Sequence, residues 1–328
     1  MILAGDIGGT NTRLALFRHA DGALERLAER CYPSREHSDF TRLLGRFCAE
    51  LDGPALAAAC FGIAGPVRGG RCQATNLPWV IDAAELCAVL GTRVTLLNDL
   101  EAHAWALDGL GAEDVEQLAA GDPDPRGNAA LIAAGTGLGE AGLVWDGRRR
   151  LPFATEGGHT TFAPRDELEA KLAGFLRRRF EHVSWERVLS GPGLVAIHDF
   201  LGELRGEVSP SWLAEEMASG DPAAAITSAA LAERSELACD ALELFVSLYG
   251  AEAGNLALKV MATAGVWIGG GIAPKILPRL RGPRFLESFR AKGRLKPVLE
   301  AMPVAVILCD DTALDGAARC AASGLQEE

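Results

Sequence analysis

The stretch AAGTGLGEAGLVW, residues 133–145, carries Gly137, Gly139 and Gly142 in the spacing G-x-G-x-x-G. Dinucleotide-binding turns share that spacing with other glycine turns that face a phosphate, so the neighbouring residues decide between them. A dinucleotide fingerprint must open a helix whose N-terminus holds the pyrophosphate. Here Gly142 is followed by LVWDGRRRLPF, a β-branched and aromatic run broken by an Asp-Gly turn. That pattern predicts a second strand, not a helix. The unit is therefore strand, glycine turn, strand, and it argues against a Rossmann domain.

The same unit opens the chain. ILAGDIGGTNTRLALF (2–17) is an apolar run, a Gly-Gly break and an alternating run, with Gly5 and Gly135 standing 130 residues apart. Glycine turns after strands expose backbone N–H groups with no Cβ in the way, and such nests bind phosphate oxygens. Two matched copies predict a clamp on a nucleotide polyphosphate. A third glycine run, VWIGGGIAP (266–274), follows a predicted long helix over 233–263. No G-x-x-x-x-G-K-[ST] occurs, which excludes a P-loop protein.

Outside the turns, polar residues stand where chemistry is expected. Asp6 ends the first strand and suits Mg²⁺ held through water, or else caps its own turn. Asn98 and Asp99 end the apolar strand of VTLLNDL (94–100), before a helix; a plain N-cap is the alternative. Glu156 and His159 flank a glycine pair in ATEGGHTTFAP (154–164), a composition suited to a polyhydroxyl ligand, although a lone His is usually structural. Glu186 starts a predicted helix, where the helix dipole alone accounts for a Glu. Asn76 lies on the loop ATNLPW (74–79).

The 328 residues are 48% hydrophobic with net charge −12, enough for a sizeable core and about two domains. An acidic chain without a Lys/Arg-rich run argues against nucleic acid or an anionic membrane as main partner. No segment approaches the roughly 18 apolar residues of a membrane helix, and the N-terminus has no basic region or cleavage site of a signal peptide. Eight cysteines without C-x-x-C are expected to be reduced thiols of a cytoplasmic protein. The small-residue run DTALDGAARCAASGL (311–325) predicts a helix that approaches a neighbour closely.

Taken in order, GDIGGTN (5–11), TNLPW, LLNDLEA, GTGLG (135–139), EGGH, ERVLSGPG (186–193) and IGGGIAP (268–274) resemble the bacterial ATP-dependent glucokinases of the hexokinase–actin–Hsp70 superfamily. EGGH together with ERVLSGPG is the specific part. The zinc-binding cysteine cluster of the related ROK sugar kinases is missing from HTTFAPRDELEAKL (159–172). The resemblance implies an α/β, two-domain actin/hexokinase-like ATPase fold with an interdomain cleft. It implies a small domain over 1–110 plus about 311–328 and a large one over 111–310. It makes Asp99 the catalytic base and Asn98, Asp99, Glu156, His159, Glu186 and Asn76 the binders of glucose. ATP would meet Gly5, Asp6, Ile7, Gly8, Gly9, Thr10 and Asn11 at one turn, Gly135, Thr136 and Gly137 at the other, and Gly270 and Gly271 on the adenosine side. Mg²⁺ would sit near Asp6, and a homodimer is usual in the family.

Three other readings compete. A kinase for fructose, mannose or an N-acetylhexosamine would use the same parts. A sugar sensor that transfers nothing would need a DNA-binding module, and none precedes the first hairpin. An NAD-dependent oxidoreductase is the third.

Overall fold

Strand β1 (Ile2–Ile7) and β2 (Asn11–Ala20) pair antiparallel around residues 8–10, as the alternating pattern after Gly9 requires. In the computed structural model, residues 1–20, 22–74, 77–309 and 312–325 are described. Asn76 lies outside them. The chain divides into two units, Met1–Leu110 with Asp311–Glu328, and Gly111–Asp310.

In the first unit β3 (Ala23–Pro33) continues the hairpin. Helix α1 (Phe40–Glu50), β4 (Ala58–Ile63), and the short strands β5 (Val67–Arg68), β6 (Arg71–Gln73) and β7 (Val80–Asp82) follow. Helix α2 (Ala83–Leu90), β8 (Arg93–Asn98) and α3 (Asp99–Ala106) come next. The main sheet has the order β3-β2-β1-β4-β8, with β1, β4 and β8 parallel. Every residue of β4 is buried, as a central parallel strand covered on both faces should be. Leu43, Leu44 and Phe47 of α1 cover one face, together with Phe61 and Trp79. The C-terminal helix (Thr312–Leu325) covers the other through Ala313, Ala317 and Ala321, against Ile2, Ala4 and Ala58. Its Gly316 touches α3 so closely that a Cβ there would collide with the Ala102 carbonyl oxygen.

On α3, His103 Nδ1 meets the Thr312 hydroxyl, and burial pushes its pKa down to about 4. His198 is also pushed down, first by burial. A histidine held neutral in the fold contributes stability above its unfolded pKa, about 6.5, and loses it as pH falls toward the folded value. The melting temperature should therefore drop between pH 6.5 and 5, above the range where ordinary carboxylates titrate. Calorimetry of His103→Gln should show a shallower drop; an identical one would remove His103 from the account.

The second unit repeats the opening arrangement. Strand β9 (Val115–Ala119) precedes β10 (Ala129–Ala134), β11 (Leu138–Trp145) and β12 (Arg150–Ala154). Helices α4 (Glu167–Arg177), α5 (Gly191–Arg205), α6 (Ser211–Ser219), α7 (Pro222–Leu231) and α8 (Glu236–Val260) follow. The unit then runs through β13 (Gly265–Gly269), α9 (Leu277–Leu280), α10 (Pro283–Arg290), α11 (Lys296–Ala301) and β14 (Val304–Ile307). The sheet order is β12-β11-β10-β13-β14-β9. As β1 pairs antiparallel with β2 and parallel with β4, β10 pairs antiparallel with β11 and parallel with β13. The 25-residue α8 is buried along most of its length, because the sheet and the surrounding helices all pack on it.

Among the described residues no helix is long and apolar enough to cross a membrane, and no cluster of three or more His, Cys, Asp or Glu side chains could hold a metal ion. All eight cysteines are free thiols.

Candidate functional site

The first glycine turn is closed by Gly8 N–H donating to Asn11 O at 3.0 Å. Ser34, fully buried, braces it: its backbone N–H donates to Thr10 O at 2.8 Å and its hydroxyl to Gly8 O at 2.7 Å. The amides of Gly9 and Thr10 have no protein acceptor among the described residues. Gly5 and Ile7 are core positions. A Cβ on Gly5 would stand 2.7 Å from Phe61 Cδ1, and Ile7 is 1% exposed. Packing thus accounts for the first glycine of GDIGGTN, and the turn surface begins at Gly8.

The register of three parallel strands sets the polar residues beside this turn. Ile7 pairs with Ile63 and Ile63 with Asn98. One residue earlier, Asp6 pairs with Gly62 and Gly62 with Leu97. The glycine turn and the start of α3 thus share one end of one sheet, and the missing side chain of Gly62 leaves room for Ala102 and Asp99. Asn98 caps α3, its Oδ1 accepting from Glu101 N at 2.6 Å, so its amide group is what remains for another partner. Asp99 is the first residue of the helix, where its own dipole favours an anion, and its Oδ1 accepts from Leu100 N at 2.9 Å. Burial, and then the Asp99 carboxylate, push the Cys72 thiol up.

In the second unit Gly135 N–H donates to Gly137 O at 2.9 Å, and Gly191 N–H at the start of α5 donates to Gly135 O at 2.9 Å. The buried Tyr249 hydroxyl accepts from Ala134 N and donates to Gly269 O, tying the ends of β10 and β13 together. Gly270 has φ +80° and packs so tightly on Ala134 that only glycine fits there. Beside this turn a cavity of 1210 Å³ opens, bordered by Gly135, Thr136, Gly191 and Gly271. Its walls are mostly apolar, with Leu194 and Val195 of α5, Ala223 and Leu231 of α7, and Ile272, and they also carry Asp221, Thr227 and Ser228. Lys275 is the cation among its lining residues.

Gly157–His159 form a one-turn 3₁₀ helix against β11, with Glu156 as its N-cap. Gly158 is needed because a Cβ there would strike the Leu138 carbonyl oxygen, and a Cβ on Gly157 would displace the Glu140 carboxylate. Glu156 and His159 are exposed at its ends. The segment around Glu186 is also a single 3₁₀ turn, Trp185–Arg187, rather than the start of a longer helix, because α5 begins only after the cap at Ser190. It pairs with the first turn through Trp185 N to Thr160 O at 3.0 Å and the edge-on Phe162–Trp185 rings. Glu186 Oε2 accepts from Leu138 N at 3.2 Å and fills the space a side chain on Gly137 would need. Glu156, His159, Glu186 and the second glycine turn therefore gather at one end of β11.

Ser34, Tyr249, the apolar cavity walls and the buried Glu140 escaped the sequence reading. Ser34 follows Pro33 at the end of β3, and nothing local marks it as the brace of a turn at residue 8. Glu140 was visible as a charge inside an apolar strand, the one signal that could have singled it out.

A family model described as Glucokinase matches residues 3–324. The glucokinase of Nostoc punctiforme is 41% identical, covering 98% of this chain and 99% of that one. The glucokinase of Synechocystis is also 41% identical, over 98% and 97% of the two chains. Among solved structures, a glucokinase from an Antarctic psychrotroph superposes with TM-score 0.87 at 31% identity, over 98% of both chains. A ROK family glucokinase from Streptomyces griseus, solved with glucose and AMPPNP, shares the fold at TM-score 0.63 and 22% identity, over 98% and 99%. The fold is the two-domain actin-like fold of sugar kinases. With the family model and end-to-end relatives agreeing, the chain belongs to the glucokinase family.

Proposed function

We propose that the protein transfers the γ-phosphoryl group of ATP to the 6-hydroxyl of glucose, giving glucose 6-phosphate and ADP. The carrying observation is the strand register that sets Asp99 and the first glycine turn at one end of one sheet. A base beside a phosphate-binding turn is what phosphoryl transfer to a hydroxyl needs, since the catalysis is mainly positioning and charge stabilisation. Asp99 accepts the hydroxyl proton as the new P–O bond forms. The amides of Gly9, Thr10 and Thr136 meet phosphate oxygens, and the apolar cavity beside Gly135 and Gly271 takes the adenosine. Asn98 offers its amide, Glu156 its carboxylate, His159 its ring and Glu186 its second oxygen to the sugar hydroxyls, with Asn76 as a further contact.

Asp6 suits Mg²⁺ held mostly through water, since this ion keeps several waters and takes its remaining ligands from substrate phosphates. When bound there, Mg²⁺ neutralises charge on the transferring phosphate. A homodimer belongs to the proposal on family likeness alone and a cytoplasmic location on the cysteine pattern, and sedimentation velocity tests the dimer.

The test is a coupled assay for glucose 6-phosphate with ATP and Mg²⁺, run beside fructose, mannose and N-acetylglucosamine. Turnover of glucose in preference to the others supports the proposal. Preference for another hexose moves the substrate, and sugar binding without turnover makes the protein a sensor. Glu156→Gln should raise the glucose KM about 10–100-fold with little change in kcat, the worth of a hydrogen bond to a charged group. An unchanged KM would make Glu156 structural.

A further inference from the structure

Under the turn that carries Glu156 and His159 lies a carboxyl pair with no part in the proposed transfer. Glu140 of β11 is 1% exposed and Glu252 of α8 is fully buried. Glu140 Oε1 has no hydrogen-bond partner, and Oε2 lies against the Gly157 backbone, in the space a Cβ there would take. Strand and turn are also joined by Thr155, whose hydroxyl donates to Glu140 O at 2.8 Å and accepts from Gly157 N at 3.1 Å. Glu252 takes Lys259 Nζ at 3.2 Å and Asn255 Nδ2 at 2.7 Å. Lys292 Nζ is occupied by Asn255 Oδ1 and Ala251 O. The groups facing Glu140 are thus Glu252, Lys259 beyond it, and the Tyr249 phenol, which the Glu140 charge helps to push up.

Burial first, and the Glu252 charge second, raise Glu140 to about 8, so it is an acid with a proton to donate at neutral pH. Its ionisation would put a second negative charge against Glu252 and leave Oε1 charged and without a donor. The α8 side is close-packed core, whereas Glu156 and His159 are exposed. The element that can give way is the turn.

Resting on the reading of Glu156 and His159 as sugar ligands, we propose that protonated Glu140 is a positioning residue. It supports the Gly157 turn and so sets both ligands, and its ionisation releases the turn and weakens glucose binding.

Glucose affinity measured by calorimetry without nucleotide, from pH 6.5 to 9.5, tests this. If only the protonated form holds the turn, the apparent Kd rises about tenfold per pH unit above the transition. In the Glu140→Gln protein, which keeps the shape and a donor toward Glu252 but cannot ionise, Kd stays flat. Glu252→Gln removes the like charge, so the rise begins at lower pH. The ATP KM should follow one profile in all three proteins. A rise with the same midpoint in Glu140→Gln, or no rise in the natural protein, overturns the inference while leaving the kinase reading intact. Normal pH-dependent sugar binding without turnover would instead overturn the kinase reading alone, and no glucose binding at pH 7 would overturn both.

Discussion

Replacing Asp99 by Asn should lower kcat for glucose phosphorylation by about 10²–10⁴-fold, the range that a positioned base contributes. The substitution preserves size and keeps an oxygen for the bond from Leu100 N, so α3 and its cap at Asn98 should remain. What it removes is the group that accepts the proton. Glucose binding should change little, because the other sugar contacts are untouched, and kcat and kcat/KM should fall together. Steady-state kinetics with a melting-temperature control would decide it. A variant that turns over near the normal rate would transfer the role of base to another residue.

The second large effect is expected at a packing contact behind the site, not at a residue that meets ligand. Gly316 of the C-terminal helix lies against the Ala102 carbonyl oxygen on α3, and the obstacle is backbone, not a side chain able to swing aside. Gly316→Val should cost about 3 kcal/mol or more, because a close-packed contact can be relieved only by moving one helix. For a protein of this size that is a fall in melting temperature of roughly 4–5 °C. Since α3 begins at Asp99, activity should fall below what the loss of folded protein explains. A variant that melts normally would mean that the helices separate without cost, contrary to the packing of Ala313, Ala317 and Ala321 around this point.

Much of this was legible in the chain. The run after Gly142 required a strand because β-branched and aromatic residues flank an Asp-Gly turn, and β11 and β12 stand there. The small residues of 311–325 required close approach to a neighbour. The buried face and its register with α3 were not readable, since one stripe of alanines is compatible with many partners. The helical start expected at Glu186 is a single turn, because Ser190 caps α5 four residues later.

The sequence by itself determined the paired glycine hairpins, the order of the motifs and the positions where Asp99, Glu156, His159 and Glu186 stand. These follow from local rules: period-two alternation, glycine at turns and polar residues at strand ends. Only the tertiary structure decided that Ser34 braces the first turn, that Gly5 and Gly270 are required by packing, and that Glu140 lies buried under Gly157 beside Glu252. Each of those depends on contacts between residues distant in the chain. Their energies come from excluded volume and from removing charge from water, neither of which a residue carries until its neighbours have closed around it.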